Sequence, residues 1–125
     1  MNTPNINTPC CPPKPDLNER ALLDGPQAEE LESMFKMLGN ATRLRLLHAL
    51  IRSDELCVND LAAALDMKQQ AISNQLQRLS DRGIVGSRRR GNQVFYRIVD
   101  SCVADLLDRG WCLTEDACQR MKGGL

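Results

Sequence analysis

Aromatic residues are nearly missing from this chain: Phe35, Phe95, Tyr96 and Trp111 are all that occur among 125 residues. A core must then be built from Leu, Ile, Val, Ala and Met, a palette that favours helices. Net charge is missing too, because 16 Lys and Arg balance 16 Asp and Glu. No bulk charge advertises nucleic acid or an anionic membrane as partner. Residues 1–20 have neither a basic start nor an apolar run of seven or more, so neither a secretory signal nor a membrane span is expected. Histidine occurs once, at His48, where the surrounding LRLLHAL predicts a partly buried core position rather than a ligand. No nucleophile beside a base, no pocket-like carboxylate pair, no phosphate-cradling glycine loop and no Cys-x-x-Cys is present, so catalysis is not expected.

What the chain does have is cysteine. Six in 125 residues fall short of a secreted disulfide scaffold, whose cysteine content runs to roughly 8–10%. A cytoplasmic, reducing location is expected, where cysteines serve more often as metal ligands or redox sensors than as bridges. The length suits one domain. Residues 1–25 read as a Pro- and Cys-containing arm, 26–110 as the folded domain and 111–125 as a Cys-containing tail.

Periodicity then places the elements. Pro26 opens a helix whose stripe is Leu31, Met34, Phe35 and Leu38, ending at Gly39. Asn40 caps a second helix with Leu44, Leu46, Leu47, Leu50 and Ile51 on its core side and Arg43, Arg45 and Arg52 left for solvent or phosphate. Val58, Leu61, Ala62 and Leu65 make a short third helix. A fourth buries Ala71, Ile72, Leu76 and Leu79, and Gly83 ends it. Two short strands follow, Ser87 to Arg90 and Gln93 to Ile98, joined at Gly91-Asn92. A last helix starts near Ser101 and carries Val103, Leu106 and Leu107, and Gly110 either ends or bends it. The expected fold is mainly α with a small β-hairpin wing: a winged helix-turn-helix of about five helices and two strands.

Chemistry follows from the outward face of the fourth helix. A major groove about 12 Å wide admits one helix, and long amide, hydroxyl and basic side chains are those that pair with base edges. Lys68, Gln69, Gln70, Ser73, Asn74, Gln75 and Arg78 supply them; Arg88, Arg89, Arg90, Asn92 and Gln93 on the wing complete the expected DNA-binding set. Between Lys68 and Arg97 seven basic residues face one acid, Asp81, a local charge of +6 within a neutral protein. Phosphate neutralisation needs such a patch, not a high average. Three adjacent arginines on one strand also repel each other unless anions lie opposite.

Four strings carry a resemblance: LGNATRLRLLHAL at 38–50, ELCVNDLAAAL at 55–65, AISNQLQRL at 71–79 and GNQVFYRI at 91–98. They are similar to the ArsR/SmtB family of metal-sensing winged-helix repressors. The resemblance implies a homodimer built on the first and last helices, double-stranded operator DNA as partner, no membrane, and release of DNA by a metal ion. It also places Cys57 where relatives hold a metal-ligating cysteine, with Asp60 one turn on. Asn59 stands where some relatives have a second cysteine, so further ligands would come from the arm, at Cys10 and Cys11. Adjacent cysteines suit an ion better than a bridge, since neighbouring Cα atoms lie 3.8 Å apart against the ~4.4–6.8 Å usual for a disulfide.

The resemblance also points to a candidate second set, Asp100, Cys102, Cys112 and Asp116: Cys102 stands in place of a His, Leu113 where relatives have another and Cys112 one residue off it, so this site is absent, altered to a thiolate-rich form or vestigial. Cys118 looks dispensable. Thiolates with at most one carboxylate suit Cd, Pb, Zn, Hg or As/Sb. Two other readings stay open. One keeps the fold and replaces the ion by a thiol-based redox or persulfide switch; the other is a metal-independent interaction module with incidental cysteines.

Overall fold

The computed structural model describes residues 13–123. Cys10 and Cys11 lie outside the described residues. After a single 3-10 turn at Leu17–Glu19 come five helices, α1 Gly25–Leu38, α2 Ala41–Ser53, α3 Val58–Leu65, α4 Gln69–Asp81 and α5 Ser101–Gly123. Three strands, β1 Leu56–Cys57, β2 Val85–Arg90 and β3 Gln93–Ile98, complete the described elements.

Local chemistry accounts for the helix boundaries. Asp24 and Gln27 form a reciprocal capping box at the start of α1, each side chain accepting from the other's backbone N–H at 2.9 and 3.0 Å. Gly39 separates α1 from Asn40, whose Oδ1 accepts from the backbone N–H of Arg43 at 3.0 Å and caps α2. Asp66, in the left-handed region at φ 54°, ends α3. Gly83 at φ 72° follows α4, where a side chain would be strained. The hairpin turns at Gly91, φ 61°, the left-handed backbone that tight two-residue hairpin turns need.

The sheet runs β1-β3-β2, antiparallel throughout, with Leu56 opposite Tyr96, Cys57 opposite Phe95, and Val85 to Arg90 paired with Ile98 to Gln93. Leu46, Leu47, Leu50, Leu61, Ile72, Leu76 and Leu79 are fully buried, and Ile84, Val85, Leu38 and Val103 close around them. Each such side chain contributes roughly 1.5–3 kcal/mol by leaving water. The core is thus aliphatic, and its fully buried part comes from α2, α3 and α4.

Several expectations need correcting. β1 adds a third strand to the expected two. His48 is exposed, not part of the core: the buried stripe of α2 is Leu46, Leu47 and Leu50, and His48 falls one step past it. Leu44 is likewise on the exposed side. Arg43 is not left to solvent: it is half-buried and its Nε donates to Met37 O at 2.6 Å, whereas Arg45 is exposed and its Nη2 donates to Leu65 O at 3.3 Å. Gly110 neither ends nor divides α5, which runs on to Gly123, so residues 111–123 continue the last helix of the domain. One glycine costs a helix only about 1 kcal/mol, too little to stop it.

Candidate DNA-binding surface and thiol sites

The tight turn Asp66 to Lys68 sets α4 across α3, and Ile72, Leu76 and Leu79 anchor it. The opposite side of α4 is polar. Lys68, Gln69, Gln70, Asn74 and Arg78 are exposed and Ser73 is half-buried. Gln70 Nε2 donates to Asn74 Oδ1 at 3.0 Å, one turn on, so these two amides present a joined pair. Gln75 stands apart from this group. It is half-buried, and its Oε1 accepts from Arg43 Nη1 at 2.8 Å.

On the wing, alternation splits the arginines. Arg88 and Arg90 share one face of β2 and Arg89 takes the other. Glu55, only 17% exposed, accepts from Arg88 Nε at 2.8 Å and Nη2 at 3.2 Å, and forms an ion pair with Arg90, Nη2 to Oε1, at 3.1 Å. Arg90 also lies over the Phe95 ring, 4.2 Å from its centroid. The hydrogen bond from Arg88 holds the Glu55 carboxyl below its usual range against an opposing desolvation, with the charges of Arg88, Arg90 and Arg97 adding to it. The same bond raises Arg88. The expected repulsion on this strand is therefore met from within the chain, on one face, while Arg89, Asn92 and Gln93 are exposed.

The thiols fall into two places. Cys57, 5% exposed, occupies the N-cap position of α3, and Asp60 is exposed in the first turn of that helix. On α5, Cys102 and Cys112 are exposed. Cys112 Sγ lies 3.6 Å from Asp116 Oδ2, while Asp100 Oδ1 accepts from the backbone N–H of Cys102 at 2.9 Å. Cys102 and Cys112 are ten residues apart, which at 1.5 Å per residue separates them by about 15 Å along the helix axis. Asp100, Cys102, Cys112 and Asp116 of one chain do not come together. Among the described residues no three His, Cys, Asp or Glu side chains are grouped so as to hold a metal ion. Nor is any described helix long and apolar enough to cross a membrane.

Sequence reasoning missed Glu55 and the Arg43–Gln75 bond. Both join residues more than thirty positions apart, so no local spacing signals them.

Three antiparallel strands behind a helix-turn-helix define a winged helix-turn-helix protein. Residues 40–87 match the family model described as bacterial regulatory protein, arsR family. The fold and sequence are similar to those of the AntR antimony-specific transcriptional repressor, 57% identical over 87% of this chain and 98% of that one, at a TM-score of 0.73. A transcriptional repressor SmtB homolog from Synechocystis is 42% identical over 80 residues, 64% of this chain; the chain spans 60% of that relative's length. The homodimeric winged helix-turn-helix DNA-binding domain of Mb0332 from Mycobacterium bovis is 29% identical over 80% of this chain and 94% of that one, at a TM-score of 0.66. The chain belongs to the ArsR family, a family of regulators and not of enzymes.

Proposed function

We propose that the chain is a homodimeric repressor that binds operator DNA through α4 and the wing and releases it when a thiophilic ion binds, trivalent antimony being the effector to test first. The observation that carries this is the likeness to an antimony-specific repressor along 98% of that protein's chain. The exposed polar face of α4 and the exposed Arg89 support the DNA half: α4 lies in the major groove and wing arginines meet phosphates. Leu31, Phe35 and Trp111, between 42% and 62% exposed on α1 and α5, support a dimer whose second copy covers them.

Two ligand sets are available to the ion. Cys57 and Asp60 need Cys10 and Cys11 to complete a site. The α5 set needs a second copy, since about 15 Å of helix keeps the two thiols of one chain from sharing an ion whose bonds to sulfur are ~2.3 Å. Exposure favours the α5 thiols over the buried Cys57. Such an ion would supply Lewis-acid affinity for thiolate alone, and the protein's own part is to hold the thiols where the weak-binding conformation satisfies them better.

The test is titration of Sb(III), As(III), Cd(II), Pb(II), Zn(II) and Hg(II) into the operator complex under strictly reducing conditions, read by fluorescence anisotropy. Release by Sb(III) at the lowest concentration is expected. Loss of response in Cys102→Ser and Cys112→Ser assigns α5; loss in Cys10→Ser, Cys11→Ser and Cys57→Ser assigns the arm and α3. Release only by diamide or polysulfide replaces the ion by thiol oxidation, and no release by anything removes the cysteines from sensing.

A further inference from the structure

We propose that Arg43 positions α4, the recognition helix of the proposed repressor, through Gln75, and that Gln75 is a strut and not a reader of bases. This rests on the repressor reading above.

Arg43 stands where α1, α2 and α4 meet. Its backbone N–H is taken by the Asn40 cap, its Nε donates to Met37 O at 2.6 Å, and its Nη1 donates to Gln75 Oε1 at 2.8 Å. Met37 belongs to the last turn of α1, where carbonyls lack helical partners and a cation is favoured. A guanidinium has donors only, so the Gln75 amide must turn its oxygen inward to Arg43. An adenine edge asks an amide for a donor and an acceptor side by side on one edge, and here the bond from Arg43 holds the acceptor turned toward α2.

Helical geometry agrees. At about 100° per residue, Gln75 lies roughly 65° from the middle of the Ile72, Leu76, Leu79 stripe. Gln70 and Asn74 lie nearly opposite that stripe. Gln75 thus sits on the flank of α4 that faces α2, where one guanidinium ties it to the end of α1. A shift of α1 against α2 reaches the recognition helix through these two hydrogen bonds.

The experiment uses the full chain, an operator selected by the wild-type protein from a random duplex pool, and a scrambled duplex of equal length. Affinity for both is measured at one salt concentration for the wild type, Arg43→Met, Gln75→Leu, the double variant and Gln75→Glu, with melting temperature recorded alongside. Either single variant is expected to lower the operator-to-scrambled ratio about tenfold, the worth of one charge-assisted hydrogen bond. The double variant should lower it no further. Gln75→Glu, whose carboxylate still accepts from Arg43, should keep the wild-type ratio; a general loss of fold would instead lower both affinities and spare the ratio.

Additive losses, an unchanged ratio in Arg43→Met, or a Gln75→Leu penalty confined to one base pair of the operator would overturn the assignment alone. A wild type that does not distinguish the two duplexes overturns it together with the repressor reading.

Discussion

Glu55 decides how much of the wing's positive charge is available. Its carboxylate pairs with Arg88 and Arg90, which stay 61% and 54% exposed, so a phosphate can approach either but has to displace Glu55 to take its full charge. Arg89, on the other face of β2, needs no displacement. Arg89→Ala is therefore expected to weaken binding on every sequence and to flatten the dependence of log K on log salt by about one, read from anisotropy titrations across a salt series. Glu55→Gln should do the opposite, steepening that dependence by one to two as the two arginines are released to phosphates. The same carboxylate has a pH signature. Its folded value lies below the usual 4.5, so its contribution to folding is present at neutral pH and is lost as pH falls through the folded value. In thermal unfolding the wild type should melt a few degrees above Glu55→Gln at pH 7, the scale of an exposed pair, and the gap should close in acid below the usual carboxylate range. A gap that persists there would remove the ion pairs as its cause.

At the scale of elements, the α1–α2 junction is the most exposed to a single change. Asn40 satisfies a backbone donor of α2 and holds the turn from which Arg43 reaches α1 and α4. Asn40→Ala should cost about 1 kcal/mol in urea unfolding, the usual worth of an N-cap. Boundaries of this kind were legible in the sequence: Pro26, Gly39, Asn40, Gly83 and Gly91 punctuate the chain where its elements begin and end. So was the polar face of α4, because an amphipathic helix declares both its sides. β1 was not, since two residues cannot show an alternation. Nor was the length of α5, because a single Gly110 does not say whether a helix passes through it. The pairings of Glu55 and Gln75 with distant arginines depend on tertiary packing and have no local signature. On α1 and α5 the stripe residues Leu31, Phe35 and Leu106 are exposed in one copy. Periodicity tells that a face is apolar, not whether its own chain or a second one covers it.

The whole molecule is neutral but strongly divided. A charge of +6 between Lys68 and Arg97 stands against −4 from Asp100 to Asp116, where Asp100, Asp105, Asp108, Glu115 and Asp116 meet only Arg109. The proposed dimer sets these acidic helices together and leaves the basic surfaces outward. Phe35→Glu, placing a charge in the apolar face of α1, should give a monomer in sedimentation velocity that has lost operator affinity; a dimer of unchanged affinity would put the interface elsewhere. Two such subunits responding to an ion obey linkage. If binding the ion weakens operator affinity, the operator must weaken ion affinity by the same factor, typically 5–150-fold, or about 1–3 kcal/mol. The measurement is a pair of titrations, Sb(III) into free dimer and into the dimer saturated with operator, followed by thiolate-to-metal absorption. The midpoint should move to higher Sb(III) with operator bound, by the factor that Sb(III) costs in DNA affinity. An ion that loads both forms at one concentration and still releases DNA cannot be acting by reversible binding, and thiol oxidation would then be the signal that this protein reads.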